Sequence, residues 1–105
     1  MSGNDNTSET VRTTAVSTTL TANDYGLLVI GATGAVTVTL PAISTITPGR
    51  VYWVYKDAAA QTITIQSATG GVTIDGGANT TLATGAVHAK RFINDGTNWF
   101  TEAAF

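Results

Sequence analysis

Cysteine is absent from the 105 residues, which excludes a disulfide framework and any thiolate-ligated metal site and leaves the redox compartment open. Charge is scarce: Asp, Glu, Lys and Arg make up 11% of the chain, against about 25% in an average soluble domain. The cations Arg12, Arg50, Lys56, Lys90 and Arg91 are dispersed apart from one adjacent pair, and the formal net charge is −2. That is no basic footprint, so no nucleic-acid partner is expected. No apolar run approaches the roughly 18 residues that a spanning helix needs, so no membrane insertion is expected. The first ten residues lack the apolar stretch of a secretion signal. The expectation is synthesis in a cytoplasm without a signal peptide.

Threonine is what the chain has in abundance, 21 residues in all. Its branched β-carbon suits a pleated strand, and its hydroxyl keeps the outward face wet without charge. Residues 1–9 (MSGNDNTSE) are polar and without periodicity, and they read as a flexible N-terminal arm. Residues 10–105 read as one β-domain. Val36, Val38 and Leu40 alternate with Thr37 and Thr39, and Ile63 and Ile65 alternate with Thr62, Thr64 and Gln66. This period of two predicts strands with the aliphatic residues inward. Further strands are predicted at 11–20, 25–30, 51–56, 72–74, 80–82, 87–94 and 98–103.

Turn signals separate these segments: Asn23-Asp24, Gly31 to Gly34, Pro48-Gly49, Gly70-Gly71, Asp75-Gly76-Gly77 and Asp95-Gly96. No stretch carries a capped helical period, although Asp57 to Gln61 has room for one helical turn. An Ala-Thr-Gly-Ala/Gly-Val form occurs at 32–36, 68–72 and 83–87. Its spacing is unequal, so it reads as one turn solution used three times and not as a solenoid repeat. The fold class expected is all-β: a single small antiparallel sandwich, jelly roll or barrel of about eight to nine short strands. Its core should contain Val36, Val38, Leu40, Trp53, Ile63, Ile65, Val72 and Ile74.

Catalytic chemistry finds little to work with. The single histidine, His88, has no nucleophile motif beside it, and it reads as a surface residue of a strand. Asp24, Asp57, Asp75 and Asp95 sit in or beside turns, where Asp bonds backbone first. Glu102 is the one acid inside a strand near aromatic residues, and it has no evident partner for paired-carboxylate chemistry. One histidine and scattered acids give no zinc or calcium spacing. The Gly-Gly pairs lack the Lys-Ser/Thr of a phosphate loop. No catalytic residue, metal or cofactor is expected.

The aromatic residues are more informative. Val51, Trp53 and Tyr55 point one way and Tyr52 and Val54 the other, so this strand is apolar on both faces. Trp99 and Phe100 likewise fall on opposite sides of the last strand. The favoured reading is core plus subunit interface, with Tyr52, Val54, Phe100 and Phe105 at the interface. The alternative is an aromatic platform for sugar rings, formed by Tyr52, Trp53 and Trp99.

The succession Val36-Thr-Val-Thr-Leu-Pro-Ala42, Pro48-Gly-Arg-Val-Tyr52 with Lys56, Thr62-Ile-Thr-Ile65, Ile74-Asp-Gly76, Thr81-Leu82 and Asn94-Asp-Gly-Thr-Asn-Trp-Phe100 resembles a module of bacteriophage tail-fibre, head-fibre and decoration (cement) proteins. It covers about two thirds of the chain. The resemblance implies a β-rich, trimeric piece of a virion surface, without catalytic residues, whose partners are copies of itself and the major capsid protein or another virion protein. The short chain suits a capsid-surface decoration protein or a short head fibre better than a long tail fibre. The alternative that it implies is a receptor-binding tail module that recognises a host-surface glycan.

Overall fold

The computed structural model describes residues 10–57, 61–82 and 88–104. The expected N-terminal arm, most of the Asp57–Gln61 segment, the third Ala-Thr-Gly element and Phe105 lie outside those residues. Within them the chain forms nine strands in two facing sheets. They are β1 (Thr10–Thr14), β2 (Thr18–Thr19), β3 (Asp24–Val29), β4 (Val36–Leu40), β5 (Val51–Lys56), β6 (Ile63–Ser67), β7 (Asn79–Leu82), β8 (Ala89–Asn94) and β9 (Trp99–Ala104). One sheet runs β1-β3-β5-β8-β9 and the other β2-β4-β6-β7. The architecture is all-β and sandwich-like, as the alternating pattern implies.

The pairing corrects the antiparallel expectation. β1, β3 and β5 pair in parallel, and so do β2, β4 and β6. Only β5–β8, β6–β7 and β8–β9 are antiparallel. The first six strands alternate between the sheets, so the chain winds as a coil of three turns: β1 with β2, β3 with β4, and β5 with β6. Gly26 lies beside Trp53 and Val36 beside Ile63, the same sequence offset in both sheets. The chain then doubles back, and β7, β8 and β9 close that end of the coil. The Gly-rich turn at 31–34 carries the chain across the sandwich, whereas the segment holding the 68–72 copy lies between β6 and β7, antiparallel neighbours in one sheet.

Two other boundaries move for the same reason. The single strand expected over 11–20 is β1 and β2, broken at residues 15–17 where the chain changes sheet. The strand expected at 72–74 is reduced to isolated bridges from Ile74 to Gly77 and Trp99.

The aliphatic alternation holds. Val36, Val38, Leu40, Ile63, Ile65 and Ile74 are buried, joined by Leu27, Val29, Leu82 and Phe92. Thr37, Thr39 and Thr64 occupy the outer face of the four-stranded sheet and are half-buried by one another. Val72 is only half-buried against the core. Trp53 is not in the core: Tyr52 and Val54, its neighbours of opposite phase, fill it with no exposed surface. Trp99 is equally enclosed and meets Tyr52 edge-on at 5.8 Å between ring centroids.

Ile65 touches core on every side, so Ile65→Ala should destabilise the fold by about 2–5 kcal/mol, while Thr64→Ala on the outer face should change stability by less than about 1 kcal/mol. Urea titration of both variants checks the facing of β6. The reverse order would mean that its register is inverted.

Candidate functional site

The two sheets present opposite surfaces to solvent. Thr37, Thr39, Thr64, Gln66 and Thr81 cover the four-stranded sheet. The five-stranded sheet carries Val11, Leu28, Val51, Trp53, Tyr55, Ile93 and Phe100 on its outer side. A wet-faced sheet normally alternates apolar with polar residues. Here β3 and β5 are largely apolar on both faces, and β1, β8 and β9 add Val11, Ile93 and Phe100 to the outer one beside Thr13, Arg91 and Glu102.

Trp53 sits near the middle of that face, and a glycine makes room for it. A β-carbon added to Gly26 would lie within 2.9 Å of three indole atoms, the nearest at 2.3 Å. The indole therefore rests directly on the backbone of β3, a contact that any side chain at position 26 would displace. Tyr25 stands against it edge-on, at 6.1 Å between centroids and 89° between planes. A β-bulge brings Tyr25 there: Thr10 pairs with Asp24 and Val11 with Gly26, leaving Tyr25 as the extra residue. The bulge interrupts the alternation, so Asp24 turns inward while Tyr25 turns out. Ile93 and Phe100 pair across β8–β9, next to Val51 on β5. The charges of this face are Arg91 and Glu102, 3.7 Å apart and both well exposed.

Asp24 holds the other side of the bulge. Its carboxylate accepts from Arg12 Nε at 3.0 Å and Nη2 at 3.2 Å, and from the Thr21 N–H at 2.9 Å. Arg12 also donates to the Thr18 hydroxyl and the Thr19 carbonyl, which ties the first strand of one sheet to the first strand of the other. Arg50 donates to the Asp24 carbonyl and lies over the Tyr52 ring at 4.8 Å, and Tyr52 Oη donates to Thr21 O. Burial alone would raise the Asp24 pKa. The Arg12 hydrogen bonds and charge, with the Thr21 N–H and hydroxyl, outweigh it and hold the carboxyl below its ordinary value.

The other described aspartates are also engaged with backbone. Asp57 accepts from Gly31 N, Asp75 from Thr101 N, and Asp95 from the N–H groups of Thr97 and Asn98. The last two bonds draw the exposed Asp95 carboxyl below its usual range. His88 is half-buried, and its carbonyl accepts from Lys56 N. Among the described residues no three His, Asp or Glu side chains converge as metal ligands. An open cleft of about 370 Å³ lies over Gly70-Gly71 and Gly76-Gly77, lined by Gln66, Ser67 and Thr69 without any charged group.

The residues expected at an interface or a sugar site therefore separate. Tyr52, Val54 and Trp99 are enclosed in the core. Phe100 is on the surface, 42% exposed. Trp53 is on the outer face, and Phe105 lies outside the described residues. Tyr25, Tyr55 and Ile93 join this face without having been singled out. Gly26 inside an apolar strand was the available signal, because a glycine there marks close approach by something large.

The chain matches no family model, and no curated protein matches it.

A lowered folded-state pKa means that Asp24 stabilises the fold above the ordinary carboxylate range, and that this contribution is lost as pH falls through the lowered value. Asp24→Asn should cost about 1.5–3 kcal/mol at pH 7. The gap from the wild type should narrow below about pH 4, where the carboxyl of the unfolded chain begins to protonate and the folded one, held lower, follows. Urea titrations of both proteins at pH 7 and pH 3 measure it.

Proposed function

We propose that this chain is a non-catalytic structural protein of a phage virion: a capsid-surface decoration (cement) or short head-fibre protein that stabilises the shell by non-covalent binding. The observation that carries this reading is the apolar outer face of the five-stranded sheet. The four described Asp carboxylates are engaged with backbone N–H groups, the cleft holds no charged group, and the shorter ion pair, Arg12–Asp24, ties the two sheets together. What remains available on the surface is apolar area. Burying such area gives about 25 cal/mol per Å², the kind of contact by which a particle gains strength without chemistry. The order of the strand and turn motifs, with its resemblance to phage head- and tail-fibre modules, supplies the virion context. It also supplies the expectation of a homotrimer that contacts the major capsid protein or another virion protein. Repeated sites on a shell would then be engaged multivalently.

A second reading has one specific observation in its favour. An indole seated on Gly26 with Tyr25 edge-on beside it is a platform on which a sugar ring can stack, with Arg91 and Glu102 near enough to bond hydroxyls. That arrangement suits a receptor-binding tail module for host-surface glycan. Of the three aromatic residues first considered for such a site, only Trp53 retains that role.

Copy number separates the two. Densitometry of purified particles should give hundreds of copies per virion for a decoration protein. A few copies per virion would replace this reading with the tail module, and absence from particles would remove both.

A further inference from the structure

We propose that the outer face of the five-stranded sheet is a self-association surface, covered in solution by the same face of further copies of this chain. The inference rests on the structural-protein reading and names the partner that this face takes.

Strand addition at the sheet edges is opposed by the way each edge is built. β1 turns the charged Arg12 inward toward the other sheet and pairs with β3 across the bulge at Tyr25. β2 is two residues long, and β7 is four. β9 is interrupted by a bulge at Glu102, because Arg91 pairs with Ala103 and Phe92 with Thr101. Inward charges, bulges and short edge strands are the features that stop sheets from extending into one another. A partner is therefore directed to a face, and the outer face of the four-stranded sheet is covered by threonine hydroxyls and Gln66 rather than by apolar area.

The size of the apolar face fits a protein partner. Val11 is 51% exposed, Phe100 42% and Tyr55 38%. With aromatic side chains presenting about 150–250 Å² each, Phe100 and Tyr55 alone leave on the order of 150 Å² uncovered, and Val11 adds to it. The half-buried Leu28, Val51, Trp53 and Ile93 lie among them and extend the patch. That falls within the range of the largest apolar patch on a typical soluble monomer, about 300–600 Å². It is also a large part of the roughly 800 Å² that each partner contributes to a standard interface.

The charges of this face suit another copy as partner. The face carries Arg91 and Glu102, one charge of each sign, side by side and exposed. Such a face is neutral and complementary to itself: in a contact between copies the guanidinium of one can meet the carboxylate of the next. A strongly acidic or basic partner would find no matching field here.

Sedimentation equilibrium on the purified chain tests this. The wild type should sediment at a multiple of the 10.8 kDa chain mass at micromolar concentration. Tyr55→Glu and Phe100→Glu should each weaken association at least tenfold with unchanged circular dichroism, and Thr81→Glu on the opposite sheet should not. Arg91→Glu and Glu102→Arg should each fail to associate alone and should associate when mixed, an outcome that a pair acting only within one chain does not give. A wild type that stays monomeric at 200 µM overturns the proposal, as does retention of the oligomer by both Tyr55→Glu and Phe100→Glu. If the monomeric chain still binds particles in high copy, only the self-association is lost and the virion reading stands.

Discussion

The buried carboxylate of Asp24 is the point on which both surfaces of the five-stranded sheet depend. A charge taken out of water must be matched, and here Arg12 and Thr21 match it. Because Arg12 also reaches β2, the same pair joins the open ends of the two sheets. Arg50 adds β5 through the Asp24 carbonyl. The inward turn of Asp24 goes with a bulge in β3, and that bulge turns Tyr25 outward onto Trp53. One local irregularity thus anchors the coil inside and organises the aromatic face outside.

Around that anchor the molecule divides its labour by face. The interior is filled from both sheets by aliphatic residues and by Tyr52, Phe92 and Trp99. The four-stranded sheet meets water with threonine, which explains how a chain with so few charges presents a polar surface. The five-stranded sheet does the opposite, and its edges are blunted. A surface built in this way favours broad apolar contact, and it leaves little polar machinery for catalysis among the described residues.

Much of this is legible in the sequence, and the reasons for the gaps are physical. Alternation is a local property, so Val36–Leu40 and Ile63–Ile65 reveal their inward residues without knowledge of their neighbours. The direction of a neighbouring strand is not local. A glycine turn looks the same whether it reverses a chain within a sheet or carries it across a sandwich, and the parallel coil was hidden for that reason. Nor does the change of sheet at 15–17 involve glycine or proline. In β5 both faces are apolar, so periodicity cannot choose between Tyr52 and Trp53. The choice is made across the sheet, where Gly26 leaves a gap that only an outward Trp53 fills. Trp99 and Phe100 pose the same ambiguity, and their facing is decided by the partners Asn94 and Ile93.

The central claim is that the outer face of the five-stranded sheet is the surface covered in the assembled state. The absence of native cysteine permits a direct measurement: alkylation rates of a single thiol, introduced as Tyr55→Cys or Thr81→Cys, in the assembled and the dissociated protein. Tyr55→Cys should be protected on assembly and released on dissociation, while Thr81→Cys reacts at the same rate in both. Protection of Thr81→Cys with free reaction of Tyr55→Cys would contradict the account.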